Sequence, residues 1–204
     1  MVDNQNMELE THPWAPFIPE GARVLVMGTF PPQRKRWSMD FYYPNRTNDF
    51  WKICGLLFLG DKDALLSDDR KTYDIDKIRA LMTEKRIALN DTVRKARRLK
   101  GNASDKFLEV IEPVPLFELL SEMPGCHAVA TTGEKAAGIV AALTGTDIPR
   151  MGEMTLATVP PPDASESPGQ LEIWRMPSTS RAYPLAVERK AEYYATLFRH
   201  LGIL

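Results

Sequence analysis

The chain has 204 residues, enough for one domain with a sizeable core and too few for two comfortable ones. Apolar residues make up 44% and charged residues 26%, and 26 Lys and Arg against 27 Asp and Glu leave a formal charge of -1. That balance excludes a histone-like or tail-driven nucleic-acid binder, but not an enzyme with a local basic patch, because a total hides its distribution.

Residues 1–22 read as an irregular lead-in, rich in Pro and Trp from residue 11 on, ahead of a single domain over 23–204. Arg23 to Met27 is a short apolar run closed by Gly28, which suits a buried parallel strand. Gly28 to Pro32 is then a loop, since two consecutive prolines continue neither a ladder nor a helix interior. Helical apolar spacing runs from Asp49 to Leu59 and stops near Gly60. Asp61 to Lys71 is a polar linker, and Ile75 to Lys85 a helix. Ile87-Ala88-Leu89 is a second strand, ended by Asn90-Asp91. Ser104 is suited to cap a helix reaching Ile111, and Pro115 to Leu120 is another short helix. A third strand spans His127 to Thr131 and exits through Thr132-Gly133 into an Ala-rich helix, Glu134 to Leu143. Met154 to Val159 and Leu171 to Trp174 are two further strands around the turn-rich stretch from Pro160 to Gly169. Tyr183-Pro184 opens a last helix, Leu185 to Leu201. Strands alternating with helices argue for an α/β fold: a single three-layer α/β/α domain with a mostly parallel central sheet.

Cys54 and Cys126 are too few for a disulfide framework, which points to a reducing compartment, the cytoplasm. His12, His127 and His200 lie far apart, and no Cys or His cluster has zinc spacing. No metal or cofactor is expected. Met1 to Glu10 is polar and acidic with no apolar core, so it is neither a signal peptide nor an anchor. No apolar run approaches the ~18–20 residues that cross a bilayer, so no membrane partner is expected. Nothing in the pattern asks for an obligate dimer, and a monomer is expected.

Loops 28–51, 90–101 and 175–183 each leave a strand at its carboxyl end, where ligands of such sheets bind. The first carries Arg34-Lys35-Arg36 and Trp37, then Phe41-Tyr42-Tyr43 and Asn48-Asp49-Phe50-Trp51. Aromatics and amides beside three cations suit a flat polar ring on a phosphate chain. They equally suit a buried aromatic cluster beside solvated charges. The last loop, Met176 to Tyr183, offers Ser and Thr donors for phosphate oxygens, or an ordinary hydroxyl-rich turn before a helix. Arg94, Lys95, Arg97, Arg98 and Lys100 form either a solvated helical face or, with Arg34 to Arg36, a phosphate-facing rim. The acids concentrate elsewhere in sequence, at 3–20, 61–76 and 105–122.

Taken together, Gly28-Thr29-Phe30-Pro31, Tyr42-Tyr43, Asn48-Asp49-Phe50-Trp51 and Met176-Pro177-Ser178-Thr179-Ser180 resemble the uracil-DNA glycosylase superfamily. The resemblance is closest to its deoxyinosine/hypoxanthine-DNA glycosylase-like branch. His12-Pro13, Ile87 to Asp91 and Gly133 to Ala137 fall in the same order, so it spans about residues 12 to 200. It implies Asn48 as the residue that handles the attacking water, because the first motif carries Phe30 where several branches have an acid or amide. It implies a base pocket of Gly28, Thr29, Phe30, Phe50, Thr131 and Thr132, with Phe50 stacking on the flipped base. Pro177, Ser178, Thr179, Ser180 and Arg181, with Arg34, Lys35 and Arg36, would contact DNA. Arg181 departs from the family, which usually has Pro there, and Thr131-Thr132 stand where relatives often carry an Asn. Asp91 matches an acid of the family, and also suits capping a following helix. Asn48 likewise suits capping the helix that begins at Asp49.

The implied activity is monofunctional DNA glycosylase chemistry: hydrolysis of the bond to a deaminated base, uracil or hypoxanthine, in base excision repair. A second reading is a degenerate member that binds DNA or a nucleobase-containing ligand without turnover. A third is a small-molecule enzyme acting on free nucleosides.

Overall fold

The computed structural model describes residues 8–99, 107–160 and 169–204. In chain order its elements are β1 (Leu9–Thr11), β2 (Val24–Gly28), a single 3₁₀ turn (Arg34–Arg36), α1 (Phe50–Leu59), α2 (Ile75–Glu84), β3 (Ile87–Asp91) and β4 (Val93–Arg98). Then follow β5 (Leu108–Pro113), α3 (Leu116–Ser121), β6 (Ala128–Thr132), α4 (Glu134–Thr144), β7 (Met154–Val159), β8 (Gly169–Met176) and α5 (Val187–His200).

The central sheet has five strands in the order β3-β2-β6-β8-β7. Its first four strands are parallel, and β7 runs antiparallel to β8. Both faces are covered, so β2, β3 and β6 are buried along their whole length. Alternation in β2 shows how the layers form. Val24 and Val26 pack with α1, α2 and α5 on one face, whereas Leu25 and Met27 pack with α3 and α4 on the other. The predicted α/β/α layering is thus the observed one.

The second sheet differs from expectation. Leu108–Pro113 is a strand, not a helix, and the proposed cap Ser104 lies outside the described residues. Segment 90–101 is not a loop either: Val93 to Arg98 is the middle strand of a three-stranded antiparallel sheet, β1-β4-β5. The lead-in supplies its edge, because Leu9–Thr11 pairs with Lys95 to Arg97. This sheet places acids beside the basic strand. Arg94 and Lys95 meet Glu112, Arg97 meets Glu109, and Arg98 meets Glu10. Lys95 holds the Glu112 carboxyl below the usual range, with Arg94 adding to the effect. The expected helical face or phosphate rim is therefore a cross-strand ion ladder for these four cations. Lys100 lies outside the described residues.

Candidate active site

Strand register sets the site. Gly28 lies opposite Asp91, and Thr132 opposite Met176, so the carboxyl ends of β2, β3, β6 and β8 are level. The segments leaving them enclose a cleft of about 520 Å³. Gly28, Thr29, Phe30, Arg36, Tyr43 and Asn48 line it from the first loop. Asp91 and Thr132 line it from the strand ends, and Ser178 to Arg181 from the last loop.

The deep end is polar and tightly built. A Cβ on Gly28 would sit 2.5 Å from Asp91 Oδ1, so the carboxyl occupies space that only glycine leaves free. Asp91 is 7% exposed, and its Oδ2 lies 2.9 Å from His12 Nε2. His12 is stacked on Tyr42 and edge-on to Phe30. Tyr43 has a left-handed backbone, φ 52°, a strained state for a bulky residue. Its ring stacks on Phe50 at 4.1 Å, and its hydroxyl lies 3.4 Å from Thr132 Oγ1. Burial, and then the Asp91 charge, push the Tyr43 phenol well above its usual pKa, so it stays protonated.

The walls are tied together by main chain and by one buried ion pair. Asp49 N–H donates to the Thr179 carbonyl at 2.8 Å. Lys190, 0% exposed on α5, donates to Asp49 Oδ2 at 2.8 Å and to the Ser180 carbonyl at 2.9 Å. Tyr194 donates to the Pro177 carbonyl at 3.1 Å. The first and last loops are thus fastened to each other and to α5. Gly133, at φ 124°, lets the chain turn into α4, and a Cβ added there would lie 3.4 Å from the Ser178 Cβ. The Ser178 and Ser180 hydroxyls accept from the N–H groups of Ser180 and Ala182, which shapes the loop.

Of the residues singled out in the sequence, Gly28, Thr29, Phe30, Asn48, Thr132, Ser178, Thr179, Ser180, Arg181 and Arg36 share this cleft. Asn48 faces the cleft, and its Oδ1 accepts from Phe50 N–H at 2.9 Å in an Asx turn just ahead of α1, whose N-cap position is Asp49 and carries no side-chain cap bond. Phe50 is not at the surface. It is 0% exposed, stacked behind Tyr43, whose ring lines the cleft. Thr131 is also fully buried and donates to the Trp174 carbonyl at 2.8 Å, away from the cleft. Pro177 lies behind the loop, and Arg34 and Lys35 line a neighbouring groove with Glu8 and Glu10. Asp91 caps no helix, since a strand follows it. Sequence reasoning missed Tyr43 as the ring lining the cleft, His12 as the Asp91 partner, and Lys190 as the buried tie. The Tyr42-Tyr43 pair was the one available signal. A contact between residues 12 and 91, or 49 and 190, has no local signature.

No protein-family model and no curated protein matches the sequence. The structure is similar to the NMR solution structure of a Methanosarcina acetivorans protein described as a "putative Uracil DNA glycosylase". The two align with a TM-score of 0.61 and 19% identity, over 96% of this chain and 99% of that one. The two chains share a fold. In this chain the cleft lies at the carboxyl ends of the mostly parallel five-stranded sheet. Among the described residues, no helix is long and apolar enough to cross a membrane. Nor do any three His, Cys, Asp or Glu among them form a metal-binding group.

Proposed function

We propose that the chain is a monofunctional DNA glycosylase that hydrolyses the N-glycosidic bond of a deaminated base, uracil or hypoxanthine, and so starts base excision repair in the cytoplasm. The observation that carries this reading is the convergence of Asn48, the Gly28–Phe30 turn and the 178–181 loop on one cleft. About 520 Å³ lies within the ~300–1,000 Å³ usual for small-ligand sites, enough for a flipped nucleotide. The fold shared with a protein described as a "putative Uracil DNA glycosylase" supports it further.

The chemistry follows from what lines the cleft. Departure of the base develops positive charge on the sugar and negative charge on the base. Placed dipoles and a positioned water then suffice, without a covalent nucleophile. Asn48 Oδ1 spends one lone pair on Phe50 N–H, which fixes its orientation; the second lone pair and the amide N–H groups remain to hold the water. Tyr43 offers a ring face to the base, and its strained backbone aims that ring. Arg36 and Arg181 at the exposed mouth attract the phosphates on either side of the flipped nucleotide. The reaction uses no metal or organic cofactor.

The test is single-turnover base release from duplexes carrying deoxyuridine or deoxyinosine. Wild type releases free base, and Asn48→Ala is slower by roughly 100-fold or more, the cost of losing a placed polar group in such a site. Unchanged activity in Asn48→Ala would remove Asn48 from the reaction.

A further inference from the structure

Lys190 has no exposed surface, yet it lies outside the cleft lining. Taking an ammonium out of water is costly, and apolar groups filling the same space would be about as stable. What an ammonium adds is a set of donors in fixed directions. One ends on Asp49 Oδ2 at 2.8 Å and another on the Ser180 carbonyl at 2.9 Å. The Tyr183 ring centroid lies 5.8 Å from the same nitrogen.

Each contact leads to a residue of the cleft. Asp49 is the middle residue of the turn in which Asn48 Oδ1 accepts from Phe50 N–H. Its carboxylate is shared, with Oδ2 on Lys190 and Oδ1 on Lys52 at 3.0 Å, and its N–H donates to the Thr179 carbonyl. The turn that aims the Asn48 amide is so held through side chain and main chain at once. On the other side, the Ser180 carbonyl also accepts from Tyr183 N–H at 3.1 Å, which closes a turn with Arg181 and Ala182 at its centre. Both line the cleft, and both are exposed. The Tyr183 hydroxyl donates to Met151 Sδ, so the ring beside the ammonium is itself fixed. A single nitrogen thus joins the turn that carries Asn48 to the turn that carries Arg181.

The joint stands on a firm base. Lys190 lies in the first turn of α5, whose Ala191, Tyr194, Leu197 and Phe198 pack into the core on one face of the central sheet. Tyr194, one turn further on, holds the Pro177 carbonyl at 3.1 Å. The spacing of the two cleft walls is therefore set by a helix packed on the sheet, and not by the loops alone.

We propose that Lys190 is a positioning residue of base release: through Asp49 it places Asn48, and through Ser180 it places Arg181, at a matched distance across the cleft. This rests on the glycosylase reading of the cleft. Arg181 draws in a phosphate of the strand, and Asn48 holds the water that attacks the sugar beside it. The two must meet the same nucleotide, and an error of about 1 Å at a reacting centre costs up to ~100-fold. Lys190 touches neither phosphate nor base, and it acts through these two residues.

The test pairs two readouts: single-turnover base release from duplexes carrying deoxyuridine or deoxyinosine, and binding to a duplex with a stable abasic-site analogue across a salt series. Each variant is assayed at a temperature where its own unfolding curve shows it folded. Lys190→Met is expected to slow release by roughly 10–100-fold. It should also flatten the log K against log salt plot by about one unit, as Arg181→Ala does, although a fully buried ammonium meets no phosphate. Asp49→Ala cuts only the arm that leads to Asn48, so it should slow release and leave the salt slope unchanged. Adding Asn48→Ala to Lys190→Met should cost less than about tenfold more, because an amide already misplaced has less to lose. A folded Lys190→Met with unchanged release and slope, or with losses that simply add to those of Asn48→Ala, would overturn the proposal and leave the glycosylase reading intact. If Lys190→Met does not fold, Asp49→Ala decides: slower release at an unchanged slope supports the proposal, and unchanged release overturns it. Failure of wild type to release either base would defeat the glycosylase reading itself.

Discussion

Lys190 is the residue whose replacement most directly probes how the cleft is held. Its ammonium is fully buried and bonded to Asp49 Oδ2 and the Ser180 carbonyl, so it joins α5, the start of α1 and the last loop. Lys190→Met keeps most of the buried stem and removes the charge. Breaking a buried pair from one side costs about 3–5 kcal/mol, because the other charge stays behind. Asp49 retains Lys52 at 3.0 Å, a partly exposed partner, which puts the expected loss at the low end, about 3 kcal/mol. That is about a hundredfold in the folding equilibrium, and roughly 6–12 °C in Tm at the ~2–4 °C per kcal/mol expected of a chain this size. Urea denaturation of wild type, Lys190→Met, Asp49→Asn and the double variant measures it. The double variant should be less destabilised than the sum of the singles, with a coupling above about 1 kcal/mol. A single variant within about 0.5 kcal/mol of wild type, or strict additivity, would refute the idea that this pair fastens the two loops.

Three further outcomes follow from the geometry. Gly28→Ala places a Cβ 2.5 Å from Asp91 Oδ1 and pushes the carboxyl off the floor; base release should fall at least about tenfold in a single-turnover assay, since small misplacements at a reacting centre cost up to ~100-fold. Arg181→Ala should weaken DNA binding and flatten the log K against log salt plot by about one unit of slope, measured by fluorescence anisotropy. Asp74 caps α2 by accepting from Asp76 and Lys77 N–H at 3.1 Å each, and Asp74→Ala should cost about 1 kcal/mol at neutral pH in thermal unfolding. The Lys77 N–H, the largest cause, holds that carboxyl below its ordinary 3.8, so the folded value is below the unfolded one. The cap's contribution is therefore complete above about pH 4 and is lost as pH falls from there through the depressed folded value, where the variant and wild type converge.

The central sheet was legible because its strands are short apolar runs that end in small or polar residues. Val24 to Gly28, Ile87 to Asp91 and Ala128 to Thr132 all lie where the residue pattern put them, within a residue or two. Helices α1, α2, α4 and α5 lie within two residues of where helical apolar spacing put them, and Gly60 does end α1. The three-stranded sheet was not. Leu108 to Pro113 alternates in burial with a strand's period of two, but a nearby Ser and a mixed composition suggested a helix. The charge pattern misled by the same route. Acids at 10, 109 and 112 stand far from the cations at 94–98 in sequence, yet cross-strand pairing sets them side by side. The one cleft was foreseeable from loops at strand ends, whereas its inner surface was not. Phe50 and Tyr43 are both aromatic, and only the left-handed turn at Tyr43 decides which ring faces the cleft and which lies behind it.

A glycosylase cleft of this kind must release a deaminated base from DNA. The most direct measurement incubates wild type with duplexes carrying deoxyuridine or deoxyinosine, and in parallel with the free deoxynucleosides, and quantifies free base and abasic sites. Free base should appear in step with intact strands bearing abasic sites, which break only on alkaline treatment, and the free nucleosides should not be turned over. No base release from either duplex, or equal rates on DNA and on free nucleosides, would contradict it.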